Sequence, residues 1–462
     1  MTVPASPANV PVAPGALPLI GHGLKLLYDP LRFMASLHTS GPLVRMRGPA
    51  FTPDVYLVNS PELLHQVLVT DARDYSQARI TAGIGSQFGV SLVMDMSFDG
   101  LTLFASHLRH RRAMQPAFHP HRIAARTPAV RRATHETITR WARGGTVRVD
   151  KEMARLAYTV SARAVCGDTP ALDRVTAGLA LLSSQTTRGL YWRLALPGLA
   201  TLRHVPGTGK FRRALSDLRT AVEASLAHHR SQGATGDDVV SQLLQARYTD
   251  TDEPLDDQQI IADTLFLVWA ATHGLKDVLP HALYELARHP DVEQRVHDEI
   301  DSVLQGRPVR AEDLPALTYT RQVVKETLRL HPSPWMLGRR TLVPVRLGRT
   351  ELPAGSELAY CTYAVHRDPA VHPDPLRFDP DRWRPDRAKD LARCSDIPFG
   401  AGVRKCIGDT LTMNQVITAL ATITARWQLR TVPGHRYRPR ARIVISPGPL
   451  PMTCHPRAHR PH

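Results

Sequence analysis

Residues 258–288 constrain this chain more than any other stretch. Apolar residues recur there at three- and four-residue spacing, and Leu265-Phe266-Leu267-Val268-Trp269-Ala270-Ala271 is apolar on most faces. A helix of that kind runs through a core. Similar windows over 153–166, 172–183 and 213–229 make the region from about 104 to 330 mostly helical. Earlier in the chain the pattern predicts a helix after Asp29-Pro30, strands near 43–46 and 55–58, and a helix over 60–70. Residues 71–103, with many Gly and Ser, read as a long loop, and long loops in compact domains are usually functional. Beyond 330, prolines punctuate short strands. One more helix is expected over about 407–427, then strand-like alternation over 428–455. Lys276, Asp277 and Pro280 are out of place in the central window. Pro280 predicts a kink or a freed carbonyl.

This organisation is mostly α with small β regions: a proline-rich arm over 1–24, then a single domain over 25–462. No stretch reaches the ~18 consecutive apolar residues of a membrane helix. The N-terminus lacks a basic region followed by an apolar one, so neither anchor nor secretory signal is expected, and the expected location is cytoplasmic. Five widely spaced cysteines without a C-x-x-C argue against a disulfide scaffold or zinc ribbon. The formal net charge of +16 is carried by arginine, since only seven lysines are present. A basic surface steers acidic partners. With no RNP-type aromatic motif, zinc-finger spacing or lysine-rich tail, no nucleic acid is expected among them. The run Asp252-Glu253-Pro254-Leu255-Asp256-Asp257 resembles an acidic magnesium box but lacks a strict D-D-x-x-D, and reads as a helix N-cap.

Four motifs in fixed order carry the chemistry. Phe399-Gly400-Ala401-Gly402-Val403-Arg404-Lys405-Cys406-Ile407-Gly408 fits F-x-x-G-x-R-x-C-x-G at every position. Cys406 stands where an irregular loop meets a predicted helix, whose N-terminal N–H groups favour a thiolate. The glycines let the backbone turn tightly. Glu326-Thr327-Leu328-Arg329 places its two charges on one helix face. Phe378-Asp379-Pro380-Asp381-Arg382-Trp383 supplies a second arginine, and His107 with Arg111 forms an i,i+4 pair. With these motifs the chain resembles the cytochrome P450 family over nearly its whole length. The resemblance implies the triangular-prism P450 fold, haem b, and Cys406 as the axial ligand of the iron. Phe399, Gly400 and Ile407 would lie at the cofactor. His107, Arg111, Arg339 and Arg404 would hold its propionates. Glu326, Arg329 and Arg382 would form a structural lock.

The central helix departs from the family pattern. Where the family carries an acid followed by an alcohol, this chain has His273 and Gly274, in Ala270-Ala271-Thr272-His273-Gly274. Three readings stay open. His273 or a water replaces the proton relay, a histidine being able to shuttle protons near neutral pH; peroxide replaces dioxygen; or the chemistry has changed and haem is merely retained. His273 turned away from haem would leave Thr272 as an offset hydroxyl.

The resemblance implies a monooxygenase that inserts one oxygen atom from O2 into a small apolar molecule. The opening and the 331–340 segment resemble terpenoid-oxidising bacterial members. The pocket is expected to include Phe88, Val90 and Leu92 from the long loop, Trp269 and Ala270 from the central helix, and Trp335 and Met336. Electrons would come from an external acidic ferredoxin and an NAD(P)H-dependent reductase, with the enzyme itself a monomer. A non-catalytic haem-binding helper of a biosynthetic complex is the opposing class. The intact cysteine motif argues against it and the missing acid–alcohol pair argues for it.

Overall fold

The computed structural model describes residues 10–49, 52–78, 101–195, 208–389, 391–441 and 444–457. Phe88, Val90 and Leu92 lie outside them. Six helices position the site: α1 (Leu101–Met114), α2 (Val149–Cys166), α3 (Asp257–Ala270), α4 (Leu279–Arg288), α5 (Thr318–Leu330) and α6 (Asp409–Thr424). One apolar cluster joins α1, α2 and α3 to the long helices Leu172–Ala195 and Thr208–Ser231, through Met114, Cys166, Leu179, Leu218 and Val268. A second joins α2, α4, α5 and α6 through Met153, Leu283, Val323 and Ile417. Each fully buried aliphatic side chain contributes about 1.5–3 kcal/mol, so α2, which feeds both clusters, binds the halves of the helical body together.

A five-stranded sheet flanks that body. Its strands are β1 (Leu43–Met46), β2 (Val55–Val58), β3 (Tyr75–Gln77), β4 (Leu337–Thr341) and β5 (Glu357–Tyr360), in the order β1-β2-β5-β4-β3. Every pairing is antiparallel except β2 with β5, which is parallel with Val55 opposite Glu357. The described part of the proline-rich arm lies along this sheet, with Val12 bridged to Arg45 and His22 Nε2 bonded to the Ala13 carbonyl at 2.9 Å.

The acidic run ahead of the central helix is its cap. Asp256 accepts from the backbone N–H groups of Gln258 and Gln259 at 3.0 and 3.2 Å, and Asp257 pairs with Arg230. Among the described residues no cluster of His, Cys, Asp and Glu is suited to a metal ion.

The helical window over 258–288, in which Pro280 predicted a kink or a freed carbonyl, is interrupted. After α3 and a short turn comes a π turn over Gly274–Val278, and α4 follows. The Leu279 N–H donates to the Gly274 carbonyl, five residues back. The reason is Pro280: lacking an N–H, it cannot extend the four-residue ladder, and the chain widens just before it.

Candidate active site

The loop before α6 is shaped by glycines. Gly400 and Gly402 have φ of 72° and 68°, a region that side chains rarely enter. Gly402 also lies so close to the backbone that a Cβ there would be 1.9 Å from the Leu68 carbonyl oxygen. The Cys406 N–H then closes the loop by donating to the Phe399 carbonyl at 2.9 Å.

Cys406 keeps exposed surface. Burial pushes its thiol up; the Gly408 N–H bonded to sulfur and the charges of Arg111 and Lys405 act the other way. Arg111 is half-buried and, among the described residues, has no hydrogen bond or ion pair; the charges it feels are Cys406 and Asp409. An unneutralised arginine beside a sulfur held by a backbone N–H suits an anionic prosthetic group with a thiolate ligand. These residues fit haem.

The other cations expected at the propionates are placed differently. Arg404 donates through both terminal nitrogens to the carbonyls of Ala72 and Tyr75, at 2.8 Å each. Arg339 is buried on β4, donates to Gln77 at 3.0 Å, and lies 5.8 Å from the centre of the Tyr360 ring. Gly400 faces that tyrosine's hydroxyl, so Arg339 and the cysteine loop share a neighbour. His107 is buried on α1.

Glu326 stands at the centre of a buried ionic junction. Arg329 grips it with two bonds of 2.8 and 2.9 Å, and the pair has no solvent exposure. Arg382 approaches to 3.5 Å, and the Trp383 indole and the Asp379 N–H each donate at 2.9 Å. The remaining Arg329 donors meet the carbonyls of His366, Pro375 and Arg377.

Ala270, Ala271 and His273 keep accessible surface where the helix has been buried from Ile260 to Trp269. Ala270 and Ala271 pack in the same apolar cluster as Ile407 and Phe118. The π turn that follows the central helix packs on α6. The Thr272 hydroxyl is already bonded, donating to the Trp269 carbonyl at 2.7 Å. Gly274 is pressed against α6, where a Cβ would lie 2.7 Å from Thr412 Cγ2. His273 Nδ1 meets Asp277 Oδ2 at 2.7 Å, and its ring stands edge-on to Trp269 with centroids 4.9 Å apart. Trp269 belongs to this cluster, but Trp335 and Met336 pack in another, with Phe33, Met34 and Leu57.

Sequence reasoning missed two partners. Asp277, singled out as anomalous, is the partner of His273, and the four-residue spacing was the available signal. His110 is buried against Asp263 and Tyr248, a long-range pairing that left no local trace.

Comparison with known proteins agrees with this geometry. The family model described as Cytochrome P450 matches residues 11–452. Cyclooctat-9-en-7-ol 5-monooxygenase of Streptomyces melanosporofaciens is 38% identical, covering 98% of this chain and 97% of the relative. Cyclooctatin synthase of the same organism is 37% identical, covering 96% and 95%. Pentalenene oxygenase of Streptomyces avermitilis is 32% identical, covering 94% of each. Among solved structures, retinoic acid bound cyanobacterial CYP120A1 has a TM-score of 0.84 at 22% identity, over 98% of this chain and 100% of that one, a likeness of fold.

Proposed function

This chain belongs to the cytochrome P450 family, and from that premise we propose that it inserts one oxygen atom from dioxygen into a cyclic terpenoid. It is a haem-dependent monooxygenase, an oxidoreductase, by membership and by its named relatives. The terpenoid reading is supported by three relatives whose names refer to cyclooctat-9-en-7-ol, cyclooctatin and pentalenene. The observation that carries the chemical assignment is the joint placement of Cys406, Arg111 and the Gly408 N–H.

Cys406 would hold the iron, Arg111 and Arg339 the propionates with His107, and Arg404 would brace the loop while facing the same carboxylates. When bound, haem supplies the oxidising chemistry, for which a thiolate ligand favours O–O cleavage. This chain's own residues do the rest. Trp269 and Ala270 offer an apolar wall with no charge to hold an anionic substrate, and that wall excludes water from a hydrocarbon. Glu326, Arg329 and Arg382 fix the core beneath the cysteine loop. The basic surface suits an acidic ferredoxin fed by an NAD(P)H-dependent reductase. No helix among the described residues is long and apolar enough to cross a membrane.

A peroxide-driven reaction is the second reading, favoured by the engaged Thr272 hydroxyl and the side-chain-free position 274. The test is a reduced carbon monoxide difference spectrum, then incubation with labelled dioxygen, ferredoxin, reductase and NADPH, using pentalenene as probe. A thiolate-haem band that Cys406→Ala abolishes, with label in the product, is expected. Label arriving only from added peroxide would transfer the assignment to the second reading. A wild-type protein that takes up no haem would overturn both.

A further inference from the structure

The exposed apolar side chains of this protein are concentrated in one place. Five of the nine large ones among the described residues fall within residues 17–28, and the other four are far from them in sequence. Apolar residues exposed singly are ordinary, but a group of them marks a contact surface. Leu17 and Gly21 exchange two backbone hydrogen bonds of 2.9 Å, which closes a tight hairpin with Pro18, Leu19 and Ile20 at its tip. Leu19 sits there at φ 63°, in the left-handed region, with 80% of its surface in water. Neither that backbone nor that exposure favours a leucine. The Gly23 N–H donates to the Ile20 carbonyl at 3.0 Å, where the short helix Gly23–Tyr28 begins. Leu24 and Tyr28, four residues apart on one face of it, are exposed as well, Tyr28 at 81%.

The base of the hairpin is fixed and its tip is left out. The His22 N–H donates to the Arg47 carbonyl at 3.0 Å, and the buried His22 ring stacks on Phe33 with centroids 5.5 Å apart. The Lys25 ammonium donates to the Pro14 carbonyl at 3.0 Å. A Cβ on Gly21 would lie 2.2 Å from the Arg47 carbonyl oxygen, so the hairpin is seated directly on the chain just past β1. The charge around it has one sign in excess. Residues 10–60 carry Lys25, Arg32, Arg45 and Arg47 against Asp29 and Asp54. Asp54 approaches Arg45 at 3.8 Å, and Asp29 accepts from the Arg32 backbone N–H at 3.3 Å. Lys25, Arg32 and Arg47 are exposed. An apolar tip with a basic collar complements an anionic bilayer, which offers phosphates at its surface and acyl chains beneath them.

We propose that the hairpin and the helix after it form a docking surface for an anionic lipid bilayer. Leu19 and Ile20 enter the acyl chains, Leu24 and Tyr28 lie at the headgroup level, and Lys25, Arg32 and Arg47 meet lipid phosphates. The attachment is peripheral, since the part that inserts is one turn of chain. A tip already held in shape loses little conformational freedom on insertion, and a tyrosine suits the boundary between acyl chains and water. The binding is independent of the monooxygenase reading. Its consequence under that reading is to hold the enzyme at the phase in which an apolar terpenoid dissolves.

The test is flotation of the haem-loaded full chain with vesicles of phosphatidylcholine alone and of phosphatidylcholine mixed with phosphatidylglycerol. The wild type should float with the mixed vesicles and bind them more weakly as salt rises. Leu19→Asn with Ile20→Ser removes the apolar tip, and asparagine enters left-handed backbone more readily than leucine. This variant should bind the mixed vesicles roughly a hundredfold more weakly, about tenfold for each aliphatic side chain lost. Arg32→Gln with Arg47→Gln should weaken binding about fivefold per cation and flatten its salt dependence. Both variants should keep the wild-type carbon monoxide spectrum and urea midpoint, because every replaced side chain is exposed. A wild type that floats with neither vesicle would overturn the inference, and so would a tip variant that binds as tightly as the wild type. Sedimentation of the lipid-free protein tests the other occupant. A wild-type dimer that the tip variant dissolves, without flotation, would assign this face to a second copy and overturn the lipid surface. Flotation is read without substrate, so a protein that leaves pentalenene unchanged yet floats as described would count against the monooxygenase reading and support the docking surface.

Discussion

His110 and Asp263 are 2.5 Å apart, neither side chain has any exposure to solvent, and the contact fastens α1 to the central helix. Tyr248 shares the same imidazole at 3.2 Å. Removing one partner of a buried, charge-assisted pair strands the other, at a cost of about 3–5 kcal/mol. His110→Ala and Asp263→Ala should each lose stability on that scale, and the double variant should lose less than the sum. Urea unfolding of the four proteins measures the coupling.

Two glycines of nearly equal φ should respond differently to alanine. Gly144 has φ of 69° with nothing within 4 Å of the position a Cβ would take. Gly144→Ala should cost only the left-handed backbone strain, about 1–2 kcal/mol. Gly402 has φ of 68° and the Leu68 carbonyl in the way, so Gly402→Ala must displace backbone beside Cys406. It should lose haem occupancy, read as haem per protein, while Gly144→Ala keeps full occupancy.

Restoring an alcohol on the central helix should fail in the single variant. Gly274→Thr places a Cβ 2.7 Å from Thr412 Cγ2 on α6. A β-branched side chain in a helix has little rotamer freedom to yield, and overpacking of this kind costs about 1–3 kcal/mol. Gly274→Thr should be destabilised, and adding Thr412→Ala should recover most of the loss in thermal unfolding.

Acid should weaken the fold through its buried histidines. Burial, with Arg367 and Arg329, holds His331 at about 3. Burial holds His372 at about 4, despite its bond to the Ser395 carbonyl. Above the unfolded value of about 6.5, neither state binds a proton and these groups contribute nothing. Below it the unfolded chain takes up protons that the native state refuses. Stability then falls by on the order of 1.4 kcal/mol per pH unit for each histidine, until pH reaches its folded value. His372→Gln, which can still donate to Ser395, should flatten the decline of the urea midpoint between about pH 6.5 and 4.

The legible parts of this molecule are those whose cause is local. The cysteine loop could be read because its glycines, arginine and cysteine serve one turn of chain. The strands β1 and β2 could be read because each is a short run rich in β-branched and other apolar residues. The π turn could not, since widening by one residue leaves no period of its own, and only Pro280 marked the place. Arg404 shows the limit for cations: the motif names the residue, but its two terminal nitrogens found carbonyls more than three hundred positions away. Trp335 shows the limit for apolar residues. Hydrophobicity says that it is buried, while the packing of Phe33, Met34 and Leu57 around it says where.

The π turn at Gly274–Val278 also gives the central helix a joint in phase. In an α-helix successive side chains are about 100° apart around the axis, and one residue more or fewer in the turn rotates everything on one side of it by that angle. Deleting a residue there with α4 kept seated on α5 and α6 would turn Trp269 and Ala270 about the helix axis. The face that the central helix presents and the anchorage of α4 are thus set by separate stretches of sequence, and the length of this turn, more than any side chain in it, sets the angle between them.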